Sequence, residues 1–165
     1  MFRAGIITVS DKGSQGQRQD LSGPAIARML AGLSIDVTKM LIIPDETDQI
    51  ASAIIAFADT ERLDLVLTTG GTGVSPRDLT PDATLKVIDK ELPGLAEAMR
   101  QESRKITPHA MISRAVAGIR GQCLIVNLPG SPKGATENLS VILPALKHAI
   151  EKIQGDPRDC ATTIP

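Results

Sequence analysis

Short, almost wholly apolar runs alternate along the first half of the chain with longer amphipathic stretches. Arg3-Ala-Gly-Ile-Ile-Thr-Val-Ser10 is apolar on both faces, as interior parallel strands are. Asp11 to Ser22 follows as a polar, Gly-containing connection, too charged to pack. Ser22-Gly-Pro then opens an amphipathic helix with Ile26, Met29, Leu30 and Leu33 on one face and Gly32 near its end. Ile35 to Ile43 reads as a second strand, broken by Pro44-Asp45-Glu46. Thr47 can cap a helix from Asp48 to about Ala58, in which Ile50, Ile54 and Phe57 are spaced for burial. Leu63 to Thr69 is the third strand. This βαβαβ order predicts right-handed crossovers and a three-layer αβα sandwich around a mostly parallel sheet.

The second half carries the same alternation less cleanly. Ala83 to Lys90 is predicted helical, and Pro93-Gly94 separates it from a second helix running to about Ser103. Leu85, Val87, Ile88, Leu92, Leu95 and Met99 are the predicted buried positions. Met111 to Arg120 is mixed, and its second half reads as a strand, which leaves room for one added antiparallel edge element. Gly121-Gln122 is a short turn before Cys123-Leu-Ile-Val-Asn127, a buried strand ending in the turn-rich Leu128-Pro-Gly-Ser-Pro-Lys133. A last helix from about Gly134 to Lys152 carries Leu139, Ile142, Leu143, Leu146, Ile150 and Ile153. Residues 1–154 are expected to form a single domain, and 155–165, polar and Pro-containing, a loose tail.

Composition narrows the function classes. The chain has 165 residues, enough for one domain with a real core, and 18 basic against 19 acidic residues, which offers no basic face to nucleic acid. Trp and Tyr are absent and Phe2 and Phe57 are the only aromatics, so base-stacking platforms are excluded and the core must be aliphatic. Two cysteines, Cys123 and Cys160, make no disulfide framework, and a reducing cytoplasm is the natural reading. No signal segment or membrane-length apolar run is read, so no membrane partner is expected. Cys123 sits among apolar neighbours that leave a thiol inert. His109 and His148 stand in no zinc-ligand spacing, and no Gly-x-Ser-x-Gly elbow points to a hydrolase.

The candidate chemistry centres on Thr68-Thr-Gly-Gly-Thr-Gly-Val-Ser-Pro-Arg-Asp-Leu-Thr-Pro-Asp-Ala-Thr84. Gly70, Gly71 and Gly73 let the backbone turn sharply after the third strand. Thr80 reads as an N-cap with Pro81 as the first helical residue. Strand, glycine loop and helix start together present convergent N–H groups suited to a phosphate, although neither the Walker nor the dinucleotide fingerprint is met. Arg77 suits phosphate oxygens, and Asp78 suits a hard metal ion. Ser10, Asp45 and the glycine loop all fall at the carboxyl ends of strands, where ligands bind in such sheets. Asp45 and Asp78 are either turn aspartates bonded to their own backbone or, as a pair, a seat for Mg²⁺ against a triphosphate. Asn127 and Ser131 explain themselves as turn residues yet stand at the same functional edge. Ser103 and Ser113, taken singly, read as surface serines, and Lys133 is either a phosphate neutraliser or a solvated charge.

The glycine string, with Ser75-Pro-Arg-Asp78 and Thr80-Pro-Asp-Ala-Thr84 in tandem, resembles the signature of the molybdopterin adenylyltransferases, the MogA/MoaB-type proteins and the G domain of gephyrin. The likeness runs from Ile7-Thr-Val-Ser-Asp11 through Asn127-Leu-Pro-Gly-Ser-Pro132. It implies transfer of AMP from ATP to molybdopterin, with Mg²⁺ as the metal. By the same resemblance Asp45 and Asp78 are catalytic and metal-binding, and Gly70, Gly71, Thr72, Gly73, Ser75 and Arg77 serve the ATP phosphates. Ser10, Ser103, Ser113, Asn127, Pro129, Gly130 and Ser131 would then contact molybdopterin, with Met99-Arg-Gln-Glu-Ser103 and Ile112-Ser-Arg114 as matched contexts. A homotrimer and a molybdenum insertase partner are implied as well. Two rival readings stand beside it: a non-catalytic molybdopterin-binding scaffold of the same family, and the related domain of the insertase.

Overall fold

The apolar runs form one six-stranded sheet. Its strands are β1 (Phe2–Val9), β2 (Ile35–Ile43), β3 (Leu65–Thr69), β4 (Lys90–Glu91), β5 (Ala117–Arg120) and β6 (Cys123–Leu128), in the spatial order β2-β1-β3-β6-β5-β4. The computed structural model describes residues 1–158. β1 pairs in parallel with β2 and β3, and β3 with β6. β5 turns back antiparallel to β6, and β4 pairs antiparallel to β5. The mostly parallel sheet with an antiparallel edge is the predicted architecture.

The pleat divides the strands' side chains between two helical layers. Ala4, Ile6, Leu65, Leu67, Leu124, Val126 and Leu128 face one side, covered by α2 (Ser22–Ala31), α5 (Pro93–Arg104) and α6 (Pro132–Ile153). Ile7, Val9, Val66, Cys123 and Ile125 face the other, covered by α3 (Thr47–Ile55) with the wide turn Ala56–Thr60, and by α4 (Thr80–Leu85). Apart from Phe57, Met99 and Cys123, the apolar core is aliphatic and is held by burial area and close packing.

Several local expectations fail for identifiable reasons. Asp11 to Ser14 winds one helical turn, α1, where a plain connection is predicted, because Ser10 Oγ accepts from Gly13 N at 3.0 Å. Thr47 lies inside α3 and makes no cap bond. Thr80 is likewise helical, and its hydroxyl donates to Gly70 O at 2.8 Å instead of capping. The helix predicted over 83–90 begins and ends earlier. Asp89 N donates to Ile119 O at 2.7 Å, so the chain leaves α4 to pair with the sheet edge, and Leu85 is left 48% exposed. Pro93 opens α5 rather than merely separating two helices, and α6 starts two residues early at Pro132. The last part of the predicted tail, residues 159–165 with Cys160, lies outside the described residues. Among the described residues no helix is long and apolar enough to cross a membrane.

Candidate active site

The carboxyl ends of β1, β3 and β6 meet at two glycine turns. After β3 the backbone enters the left-handed region at Gly70 (φ 106°) and Gly71 (φ 65°). A Cβ on Gly70 would strike the carbonyl of Val9, and one on Gly71 would stand 2.5 Å from Thr80 Oγ1 and 3.1 Å from Asp45 Oδ1. Glycine is required here by conformation and by space. The second turn is docked on the first: Gly70 N donates to Leu128 O at 3.1 Å and Thr69 Oγ1 to Pro129 O at 2.6 Å. Ser22 Oγ, at the start of α2, donates to Gly130 O at 2.8 Å.

Beside these turns Asp11 and Asp45 exchange hydrogen bonds. Asp45 Oδ2 accepts from Asp11 N at 2.8 Å, and Asp11 Oδ1 accepts from Asp45 N at 3.0 Å. Arg77 reaches back from the glycine loop, placing Nε 2.6 Å and Nη2 2.9 Å from the Asp11 oxygens and Nη2 2.9 Å from Glu46 Oε1. The guanidinium holds the Asp11 carboxyl below the usual range, with help from the Asp45 amide. Asp45 moves the other way. Burial pushes it up, the charges of Asp11 and Asp78 add to that, and the Asp11 amide and Arg77 offset it in part. Asp78 closes its own loop: Oδ2 accepts from Ser75 N at 2.8 Å and Asp78 N donates to Ser75 O at 2.9 Å.

Two hollows lie side by side along this edge. The larger, about 620 Å³, is lined by Ser10, Asp20, Asp45, Gly70, Gly71 and Gly130 among others. The smaller, about 280 Å³, is lined by Thr72, Gly73, Ser103, Ser113, Pro129 and Asn138 among others. Ser131 lines both. Consecutive residues of one glycine loop therefore wall consecutive hollows. Ser75, Arg77 and Asp78 line neither of them.

Asn127 is not brought to either hollow. It is fully buried, its amide donates to Thr68 Oγ1 and Thr84 Oγ1 at 2.9 Å each, and its Oδ1 accepts from Val116 N at 3.1 Å. With every side-chain hydrogen-bonding group but one lone pair used, it ties β6 to β3, α4 and the strand entering β5.

Other residues of the site escape sequence reasoning. Asp20 accepts from Ser22 N and Gly23 N at 3.0 Å each and from Thr8 Oγ1 at 2.7 Å, so it caps α2 and faces the larger hollow. An aspartate just ahead of Ser-Gly-Pro is the available signal for it. Asn138 donates to Ser103 Oγ at 3.1 Å from within α6, and a polar residue among the apolar positions of that helix marks it. Asp11 carries no local signal beyond its place at the end of β1.

Comparison with known proteins gives the same picture from a different direction. Residues 5–148 match the family model described as "Probable molybdopterin binding domain". The molybdopterin adenylyltransferase of Helicobacter pylori is 44% identical over 154 residues, covering 92% of this chain and 88% of that one. That of Escherichia coli K12 is 43% identical, covering 87% and 75%. The crystal structure of the molybdopterin biosynthesis enzyme MoaB from Thermus thermophilus superposes with a TM-score of 0.90 at 52% identity, covering 96% of this chain and 100% of the other. The chain belongs to the molybdopterin-binding domain family of these proteins.

Proposed function

We propose that this protein transfers AMP from ATP to the terminal phosphate of molybdopterin, a step of molybdenum cofactor biosynthesis. The observation that carries the reading is the shared wall: the loop Gly70 to Gly73 and Ser131 border both hollows, so two ligands seated there would meet at one backbone turn. The relatives named above supply the chemistry, since molybdopterin adenylyltransferases take ATP and molybdopterin as substrates.

In this reaction a phosphate oxygen of molybdopterin forms a bond to the α-phosphorus of ATP, and the bond to the β-phosphate oxygen breaks to release pyrophosphate. Both reactants are anions, so alignment and charge neutralisation carry the catalysis. The Gly70 amide is already bonded to Leu128 O; the Gly71, Thr72 and Gly73 amides have no partner among the described residues and are the donors left for phosphate oxygens. Ser103 and Ser113, in the smaller hollow, would orient the pterin, with Pro129 and Ser131 as part of its wall. Ser10 and Gly130, expected at the pterin, line the larger hollow instead and would border the nucleotide. Arg77 acts through Asp11 and Glu46, tying the glycine loop to the segments that carry them. Asn127 supports the floor.

In this reading Asp45 and Asp78 would hold Mg²⁺. Oδ1 of Asp45 has no hydrogen-bond donor among the described residues and borders the larger hollow beside Gly71. Among the described residues no group of three or more His, Cys, Asp or Glu is arranged to hold a metal ion, so phosphate oxygens and water would complete the coordination, the arrangement Mg²⁺ ordinarily takes. When bound, the ion neutralises triphosphate charge. Homotrimeric assembly, a molybdenum insertase as the next partner, a cytoplasmic location and a domain spanning 1–154 belong to the same reading.

Purified protein, labelled ATP, Mg²⁺ and molybdopterin should yield adenylyl-molybdopterin and pyrophosphate, and Asp78→Asn should abolish both. Pterin binding without product in the wild-type protein would replace this reading with the non-catalytic scaffold.

A further inference from the structure

We propose that Arg114 is a positioning residue that latches the glycine loop, and with it Asp78, onto the wall of the smaller hollow. The inference rests on the adenylyl-transfer reading of the site. Arg114 follows Ser113, which lines that hollow. Its main-chain N–H donates to Thr72 O at 2.8 Å. Its side chain then reaches both arms of the loop, with Nε 2.9 Å from Gly73 O and Nη2 2.6 Å from Asp78 O. The remaining face of the fork meets the Asp82 carboxylate of α4 at 3.2 and 2.8 Å.

These contacts are geometric in purpose. Asp82 neutralises the guanidinium, and the Asp82 carboxyl is correspondingly held below the usual range. Arg114 lines neither hollow, so its charge is not offered to a ligand. What it offers is planar, multidirectional donation: one rigid fork satisfies two loop carbonyls and a carboxylate at once, which an ammonium cannot reproduce. Arg77 holds the opposite flank of the same loop through Asp11 and Glu46. The loop is thus clamped from two sides, and only the Arg114 clamp is continuous with the pterin side. A small displacement of Asp78 is enough to cost turnover, because groups aligned for transfer lose about 10²-fold in rate per ångström of misplacement.

The test uses amide exchange and kinetics on the whole chain. In Arg114→Ala and in Arg114→Lys, the Ser75 and Asp78 amides, which are bonded across the loop, should exchange faster than in wild type, while β3 and β6 amides stay protected. Turnover should fall about 10- to 100-fold and half-saturating Mg²⁺ should rise, with molybdopterin affinity changed by less than about threefold. Lysine should recover thermal stability but not turnover, which a purely structural or purely ionic role would not do. Unchanged exchange at Ser75 and Asp78, or turnover within about twofold of wild type in either variant, overturns the latch. Faster exchange in a protein whose wild-type form makes no product overturns the adenylyl-transfer reading instead and leaves the loop contact intact.

Discussion

Asp11 and Asp45 each accept the other's backbone N–H through a carboxylate oxygen, at 3.0 and 2.8 Å. Two carboxylates are held close by donors that carry no formal charge, with one guanidinium on Asp11 only. The pair is therefore polarised: Asp11 ionises easily and Asp45 with difficulty.

From this follows a stability gain on removing the charge of Asp45. Its folded pKa lies above the unfolded value of about 4, so the ionised carboxyl costs stability that appears as pH rises through that window. Below about pH 4 both states are protonated and the cost vanishes. Asp45→Asn keeps an acceptor for Asp11 N, and should raise stability at pH 7–8, only modestly because solvent reaches the group, and not at acid pH. AMP transfer should be lost in the same variant. Urea melts at the two pH values check the sign, and a destabilised protein at neutral pH would refute it.

The acid limb of activity should follow the same group. In the proposed role Asp45 holds Mg²⁺ as a carboxylate, so turnover should begin to fall at a pH above the ordinary aspartate range. Saturating Mg²⁺ should shift that limb downward, since the ion favours the carboxylate. A limb insensitive to Mg²⁺ concentration would assign it to another group.

Asn127 separates a supporting role from a ligand role. Asn127→Ala takes their partner from the part-buried Val116 amide and the buried Thr68 hydroxyl, while Thr84 keeps its bond to Thr80 O, and should cost about 2–4 kcal/mol in denaturant melts. A pterin ligand would instead lose affinity with stability unchanged.

Gly70→Ala should be among the most damaging single changes in the chain. The added methyl group meets the Val9 carbonyl at a positive φ, so both strain and clash oppose it, at a cost above about 2 kcal/mol. Gly94→Ala, with open space around the site, should be tolerated within about 0.5 kcal/mol. Paired thermal melts would show the contrast.

Cys123 is buried in β6, and burial pushes its thiol up to about 12. In a Cys160→Ser background, a thiol reagent at pH 8 should modify Cys123 only as fast as the protein opens. Rapid labelling of the native protein would contradict the packing around β6.

The strands were readable from the residues because each is a local, period-two or fully apolar signal, and the core of an aromatic-poor chain has few alternatives. β1, β2, β3 and β6 fall where their apolar runs do, and the turn after β3 follows from glycines, whose lack of a Cβ no other residue reproduces. What failed depended on partners distant in sequence. Thr80 does not cap because Gly70 O lies within its reach, and the helix after it stops because β5 offers Asp89 a carbonyl.

The site divides in the same way. Residue type and spacing alone pointed to a strand-end edge suited to phosphate and left Asp45 and Asp78 as either turn residues or a metal seat. Only folding decided that Arg77 faces Asp11 and Glu46, that Asn127 is enclosed, and that Ser103 and Ser113, from α5 and from the segment before β5, share one hollow. Hydrogen-bond partners 31 to 66 residues apart are set by how the layers pack, which no local periodicity encodes. Charge and chemistry reside in the sequence; which charge meets which is a property of the packed sheet and its two glycine turns.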